Sequence, residues 1–341
     1  MSSVGARALI APGSRRVTPA GPCFARRVCW GYTRPMAAKK ILIDTDCGVD
    51  DAIAIMMALA SPHEVSVMGI TTVSGNVQVD NVVDNVLRLL SFLDRTEIPV
   101  FRGASRPLVE PPHHAADVHG GTGLGDAELP PASFAEQPRS APEGIVRIAR
   151  ENPGITLLTL GPLTNVAIAL NLFPELKGLI AEIIAMGGAI EAGNVTRFAE
   201  FNFHADPEAV QSVLDAGVAI SLLTWDATVK LPHTQAELES IGLNTSASGR
   251  LVLALQQTVF RFNEKARGVR LTMLPDPLAA AWLIEPRIAR RVLSTGMRME
   301  LDHSTMRGAS VTQRGDGIRL ILDIDKPGFD LILSRVIGLK K

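Results

Sequence analysis

Four aspartates lie within eight residues of the chain, in the segment DTDCGVDDA that begins at Asp44. Asp44 and Asp46 are two residues apart, so they share one face while the backbone stays extended. Gly48 permits a tight turn after them. Asp50 and Asp51 then stand where a helix would begin, and the helix dipole favours a carboxylate there by about 0.3–1 kcal/mol. The segment therefore concentrates acidic groups at a strand-to-helix turn.

Four converging carboxylates need a compensating charge, because like charges raise one another's pKa. A divalent cation supplies that charge, and oxygen ligands select a hard ion such as Ca²⁺ or Mg²⁺ over zinc. The alternative is that Asp50 caps the helix while the other three aspartates are solvated. We favour the metal site, because one cap does not explain four acidic residues in eight.

A second enzyme class also places a D-x-D pair at the end of a first strand. In phosphotransferases of the haloacid dehalogenase type, one Asp is the nucleophile and the next an acid/base. That class expects a small hydroxyl residue two places after the second Asp, where this chain has Gly48. Asp50 and Asp51 would also have no role. An Mg²⁺-dependent phosphohydrolase is kept as an alternative hypothesis.

Runs of strand type alternate with helical periodicity along the chain. We predict strands at 39–44, 65–73, 155–160, 180–186, 218–224 and 318–323, and helices at 50–60, 77–93, 143–151, 163–170, 207–216, 249–266 and 276–284. This alternation predicts an α/β fold: an open, mainly parallel sheet with helices on both faces and a Rossmann-like core. Ligands in such sheets bind beyond the carboxyl ends of the strands. Residues 107–139, rich in Gly, Pro and His, are predicted to form a mobile flap.

Composition excludes several classes of protein. The chain has 341 residues, of which 46% are hydrophobic, yet no uncharged apolar run approaches the roughly 18–20 residues that cross a bilayer, so we expect no membrane partner. The net charge of the chain is −1, but residues 1–38 carry six arginines and no acidic residue. Residues 39–341 therefore have a net charge of −7, which argues against nucleic-acid binding. Cys47 is the one cysteine after residue 38, so we expect a reducing, cytoplasmic location.

The basic segment 1–38 shows no helical or strand period, so we leave it out of the fold. It can be interpreted as an organelle transit peptide, as a disordered tail, or as sequence ahead of a true start at Met36. Its prolines interrupt the amphipathic helix that transit peptides favour, so we prefer the last two interpretations. We predict a disordered leader over 1–38 and a single domain over 39–341.

Five segments in order carry a resemblance to a known family: DTDCGVDDA (44–52), TTVSGN (71–76), LGPLTN (160–165), MGGAIEAGNVTRFAEFNFHADPEA (186–209) and LPDPLA (274–279). With them the chain resembles the inosine-uridine-preferring nucleoside hydrolases from residue 39 to about its last strand. The resemblance implies hydrolysis of the N-glycosidic bond of ribonucleosides to ribose and free base, in purine and pyrimidine salvage. It also implies a Ca²⁺ cofactor and assembly as a homodimer or homotetramer.

The resemblance also implies roles for individual residues. Asp46 would bind calcium and take the proton from the attacking water. Asp51, Asp276 and the backbone carbonyl of Leu160 would complete the metal site. Asp50 would bind the ribose 2′-hydroxyl. The residues expected to contact the substrate are Asp50, Asn76, Met186, Asn194, Glu200, Phe201, Asn202 and His119, the last from the predicted flap.

The chain departs from the family pattern at two positions. Many relatives carry a histidine or a tryptophan just before the last calcium Asp, where this chain has Pro275, and Cys47 stands where many have proline. Both features resemble a less characterised subgroup, and no residue is assigned to activate the leaving base. A calcium-dependent nucleoside-binding relative without catalysis is therefore a third hypothesis. Against it, every calcium and ribose position of the pattern is filled.

Several aromatic and basic residues in the second half of the chain can be explained by structural roles. Trp225 and Trp282 stand in apolar contexts that indicate core positions. Lys265, Arg267 and Arg270 precede the segment of Asp276 and could contact the base, although we prefer to interpret them as a solvated basic helix end.

Overall fold

The computed structural model describes residues 37–339, which form one eight-stranded sheet in the order β3-β2-β1-β4-β5-β6-β8-β7. Its strands are β1 (Lys39–Thr45), β2 (Val65–Thr72), β3 (Val100–Phe101), β4 (Ile155–Thr159), β5 (Ile180–Met186), β6 (Ile220–Leu223), β7 (Ala289–Met299) and β8 (Ser310–Ile324). Neighbouring strands are parallel from β3 to β8, and only the β7–β8 pair is antiparallel. The predicted open, mainly parallel sheet is confirmed.

Helices cover both faces of this sheet. They are α1 (Val49–Leu59), α2 (Val79–Phe92), α3 (Ala116–His119), α4 (Ala141–Glu151), α5 (Thr164–Leu172), α6 (Leu176–Leu179), α7 (Phe201–Ala205), α8 (Pro207–Asp215), α9 (Trp225–Thr228), α10 (Gln235–Ser240), α11 (Ala247–Arg267), α12 (Pro275–Ile284) and α13 (Lys326–Leu333). Ile41 and Ile43 of β1 pack into the core beneath α1, α2, α11 and α12, whereas Leu42 faces the core beneath α4, α5 and α8. This alternation follows from the two-residue period of a strand.

The antiparallel edge strand β7 was not predicted. Residues 290–294 are all exposed, so the strand lacks the buried-exposed alternation that indicates a half-buried strand. The strand exists because β8 pairs with it along most of its length. This hairpin extends β8 well beyond the predicted span of 318–323.

The flap, residues 107–139, is attached to the body at several points. The Leu108 N–H donates to Asp206 Oδ2 at 3.0 Å, and the Ala115 N–H donates to the Asn76 carbonyl at 3.0 Å. Its short helix α3 ends at His119. These hydrogen bonds give the flap a defined path. Its mobility stays a prediction.

Residues 1–36 of the predicted leader, which include Cys23 and Cys29, lie outside the described residues. Within residues 37–339, no helix is long and apolar enough to cross a membrane.

Candidate active site

The acidic turn lies at the carboxyl end of β1, where the sheet places its ligand site. Gly48 is the N-cap of α1, and its N–H donates to Asp51 Oδ2 at 2.9 Å. Thr45 Oγ1 donates to Asp51 Oδ1 at 2.6 Å. These bonds fix Asp51 in the first turn of the helix. Cys47 is fully buried within the turn and has a φ of 28°.

Three carboxylates converge at this turn. Asp50, Asp51 and Asp276 each offer an oxygen, and these oxygens lie within 4.8 Å of one another. Asp276 comes from the first turn of α12, at the other end of the chain. Asp46 is fully buried; its Oδ2 accepts from the Asn76 N–H at 2.7 Å, and its Oδ1 has no partner.

Asp44, the remaining acidic residue of the segment, is held differently. Its Oδ1 accepts from Thr71 Oγ1 at 2.5 Å and from Asn165 Nδ2 at 2.8 Å. Asn165 in turn joins the Thr72 carbonyl and the Ala104 N–H. Asp44 therefore ties β1 to β2 and α5 and supports the turn from behind.

The electrostatics of the cluster favour a cation. Burial, followed by the charge of Asp51, raises the pKa of Asp46 and of Asp276 well above the usual range. The same two causes raise the pKa of Asp50 to about 7. These carboxyl groups cannot all be ionised without a compensating charge. Their oxygen donors, with unpartnered Oδ1 atoms on Asp46 and Asp50, fit a hard divalent cation.

A cavity of about 400 Å³ opens above the cluster. All eight residues predicted to contact the substrate line it: Asp50, Asn76, His119, Met186, Asn194, Glu200, Phe201 and Asn202. Two predicted metal ligands, Leu160 and Asp276, also line it. Asp46 and Asp51 are fully buried. The structure thus brings together residues that are more than 200 positions apart in the sequence.

Glu200 and Asn202 form one hydrogen-bonded unit at the cavity wall. Glu200 caps α7 and accepts from the N–H groups of Gly188, Asn202 and Phe203 at 2.9, 2.9 and 3.2 Å. Burial raises its pKa. Asn202 Nδ2 donates to the carbonyl of Leu160 at 2.7 Å, so this predicted metal ligand already accepts one hydrogen bond. Both side chains are therefore held in place by the body of the protein.

One predicted substrate contact, Asn194, is more exposed than the others. Asn194 is exposed on the loop after β5, and its Oδ1 accepts from the Phe201 N–H at 2.9 Å. Asp206 is the N-cap of α8, with Pro207 at the first helical position.

His119 lies over the acidic turn. Its Nδ1 accepts from the Val49 N–H at 3.2 Å and is 3.7 Å from Asp50 Oδ1. Burial lowers its pKa to about 4, so the ring is neutral at physiological pH. A Cβ at Gly48 would lie 2.4 Å from His119 Nδ1, so this packing requires glycine there.

The sequence did not identify every residue of the cavity wall. His113 and His114, to which we assigned nothing, line it from the flap, and Val259 and Asn263 line it from α11. Arg267, named above as a possible contact of the base, also lines the cavity from α11, whereas Lys265 and Arg270 are not among the lining residues. The spacing 259, 263 and 267 is the signal that places them on one helix face. Trp225 is half-buried and lines the cavity, so its predicted core position is wrong in part, whereas Trp282 is buried as predicted.

Comparison with known proteins places the chain in a family. The model of the family "Inosine-uridine preferring nucleoside hydrolase" matches residues 41–330. A pyrimidine-specific ribonucleoside hydrolase, RihA of Salmonella arizonae, is 37% identical over 308 residues, which cover 88% of this chain and 98% of the relative. An uncharacterised protein of Schizosaccharomyces pombe is 40% identical over 252 residues, or 73% of this chain and 81% of that protein.

Solved structures show the same fold. A plant nucleoside hydrolase, PpNRh1, matches with a TM-score of 0.83 and 29% identity, and a purine-preferring ribonucleoside hydrolase from Gardnerella vaginalis with 0.82 and 29%. Both matches cover 88% of this chain and 99% of the other. The acidic turn, the cavity above it and these similarities lead to one conclusion: the chain belongs to the inosine-uridine preferring nucleoside hydrolase family of enzymes.

Proposed function

We propose that the protein hydrolyses the N-glycosidic bond of ribonucleosides to ribose and free base, with Ca²⁺ as its cofactor. The observation that carries this proposal is the position of the carboxylate cluster at the floor of a cavity whose walls hold the polar residues expected to bind ribose. The relatives support the substrate class, since RihA is named pyrimidine-specific and the Gardnerella enzyme purine-preferring.

Asp46, Asp51, Asp276 and the carbonyl of Leu160 would hold the calcium ion. When bound, the ion supplies positive charge that compensates the buried carboxylates and polarises a water molecule. Asp46 accepts the proton of the attacking water. Its Oδ2 is occupied by the Asn76 N–H at 2.7 Å, which leaves Oδ1 free for that proton.

The carboxylates also stabilise the transition state. Cleavage of the C1′–N bond places positive charge on C1′ and on the ring oxygen, and nearby negative charge lowers the energy of that state. Asp50 lines the cavity with an unpartnered Oδ1, which can accept the ribose 2′-hydroxyl hydrogen. Asn76, Asn194, Glu200 and Asn202 bind the remaining hydroxyl groups, while Met186 and Phe201 pack against the sugar and base.

The phosphohydrolase alternative requires Asp44 as a nucleophile. Asp44 is fully buried, and Thr71 and Asn165 bind one of its oxygens. A nucleophile must contact the substrate, so this burial argues against the alternative. A non-catalytic calcium-dependent binding protein would use the same carboxylates, so release of free base is the observation that separates it from a hydrolase.

We further propose that the enzyme is a cytoplasmic homodimer or homotetramer. Light scattering of the purified protein tests the assembly, and fractionation of cells tests the location.

The central experiment measures the release of free base and reducing sugar from inosine, uridine, cytidine and adenosine, with and without a calcium chelator. We expect hydrolysis by the wild type, its loss with the chelator, and a fall of about 10²–10⁴-fold in kcat for Asp46→Asn, the range for removal of a general base. Asp84→Asn, on the exposed face of α2, is the matched control and should keep full activity. An unchanged rate in a folded Asp46→Asn protein would overturn the mechanism.

A further inference from the structure

The departing base needs a proton. When the C1′–N bond breaks, its electron pair moves onto a nitrogen of the base, and the resulting anion is a poor leaving group. A positioned acid lowers this barrier by a factor of about 10²–10⁴ in rate. Pro275, which precedes Asp276 at the cavity wall, has no proton to give.

His114 has the geometry of such an acid. It lines the cavity from the flap and is half-buried. Its Nδ1 lies 2.8 Å from the carbonyl oxygen of Gly75. A carbonyl only accepts, so Nδ1 carries a hydrogen and donates it. Nε2, across the ring, has no hydrogen-bond partner in residues 37–339, so it is free to form a hydrogen bond with a ligand.

The neighbouring histidines are arranged differently. His119 Nδ1 accepts from the Val49 N–H, so the hydrogen of its neutral ring is on Nε2, which can donate a hydrogen bond. For His119 to act as an acid, Nδ1 would have to take a proton against that N–H. His113 is exposed, with its ring centre 6.3 Å from that of Phe201 and 6.2 Å from that of His204. Neither contact orients a nitrogen of His113 towards a substrate.

One dipeptide connects His114 to Asp46. The Asn76 N–H donates to Asp46 Oδ2 at 2.7 Å, and the Gly75 carbonyl accepts from His114 Nδ1. The Asn76 carbonyl also accepts from the Ala115 N–H at 3.0 Å, which fixes the backbone next to His114. The residue that takes a proton from water and the residue that would deliver one are thus bound by the two polar ends of a single peptide group, the Asn76 N–H and the Gly75 carbonyl.

We propose that His114 is the general acid that protonates the departing base. The proposal rests on the hydrolase function proposed above. In the reaction, Nε2–H of the protonated ring gives its proton to the base as the C1′–N electron pair moves onto that base. Water adds to C1′ and loses a proton to Asp46. The products are ribose and neutral base, and solvent carries the proton from Asp46 back to His114.

The test compares substrates whose leaving groups differ in their need for a proton. Nucleosides need one, whereas p-nitrophenyl β-D-ribofuranoside releases a phenolate that is stable without it. For His114→Ala we expect kcat on inosine and uridine to fall about 10²–10⁴-fold and kcat on the nitrophenyl riboside to change less than about threefold. His114→Gln, whose amide can still donate to the Gly75 carbonyl, should show the same selective loss.

His63→Ala is the matched control, because it removes an exposed histidine that does not line the cavity, and it should stay within about threefold of the wild type on both substrate types. Equal losses on both substrate types in the His114 variants would mean a structural role and would overturn the proposal, as would unchanged nucleoside hydrolysis. Failure of the hydrolase function itself is distinguishable, because the wild type would then release no base from any nucleoside.

Discussion

Gly75 shows how strictly a single residue can be constrained by this site. A Cβ at this position would lie 2.1 Å from Asp46 Oδ2 and 2.8 Å from Asp46 Cγ, closer than any real contact. The absence of a side chain lets the backbone approach the carboxylate closely enough for the Asn76 N–H to bind it. Gly75 is therefore required by close approach to the proposed proton acceptor.

Replacement of Gly75 by alanine tests this requirement. The methyl group must displace Asp46 or the loop, and overpacking of this kind costs about 1–3 kcal/mol of stability. Because a misplacement of about 1 Å can cost 10²-fold in rate, we expect kcat for nucleosides to fall at least that far. Gly121→Ala is the control, since a Cβ there meets nothing within 4 Å. Wild-type kinetics for Gly75→Ala would contradict this steric account.

The acidic residues could be predicted from sequence because they are concentrated in one segment, and Asp276 only because its segment matches the family pattern. His114 could not be predicted. Its role depends on a hydrogen bond to Gly75, 39 residues earlier, and on the path of the flap across the cavity. The hydrophobic periodicity of a sequence contains no information about the path of a loop. The two hydrogen bonds that Asp44 accepts from Thr71 and Asn165 could not be predicted for the same reason.

At the scale of elements, the flap and the β7–β8 hairpin are joined at Arg307, in the connection between these strands. Its guanidinium contacts Glu110 of the flap at 3.5 Å and Glu208 of α8 at 2.6 Å, and it donates to the Leu301 carbonyl at 2.6 Å. Arg307 is only 11% exposed, whereas Glu110 is 34% exposed. The hairpin therefore helps to hold the flap over the cavity.

Loss of this ion pair should loosen the flap without changing the chemistry. A partly exposed ion pair contributes about 0.2–1 kcal/mol, so we expect Glu110→Gln to raise KM by up to about fivefold and to leave kcat within about twofold. Steady-state kinetics on uridine measures the split between the two constants. Glu97→Gln removes a comparable pair with Arg95 outside the flap and should change neither. A fall in kcat with an unchanged KM would be inconsistent with this role.

The sequence predicted the buried parallel strands well, because short apolar runs between helical segments indicate them. It missed β7, whose exposed residues 290–294 hide its pairing with β8. It also missed the two-residue strand β3, which is too short for any pattern. Elements defined by a distant partner leave little local signal.

At the scale of the whole molecule, the fold joins carboxylates from both ends of the described chain. Asp50 and Asp51 come from the start of α1 and Asp276 from the start of α12, and these two helices pack against each other. Burial and mutual repulsion raise the pKa of Asp50 to about 7, and burial raises that of Asp44 to about 7. The metal-free folded protein therefore keeps protons that the unfolded chain releases near pH 4.

This difference fixes the sign of a pH effect. Between about pH 4 and pH 7 the folded state binds more protons than the unfolded state, so the stability of the metal-free protein falls as the pH rises. A bound dication compensates the carboxylates and offsets that loss. We expect calcium to raise the melting temperature by several degrees near pH 8 and by little near pH 5, where protons compete for the same oxygens.

Thermal melts in calcium chloride and in chelator at both pH values measure the effect. Asp276→Asn should abolish the calcium-dependent shift, because it removes the carboxylate that α12 contributes to the cluster. The exposed Asp84→Asn should retain it. A shift of equal size at both pH values, or one that is retained in Asp276→Asn, would mean that calcium binds elsewhere on the protein. Another source of positive charge would then have to compensate the buried carboxylates of the cluster.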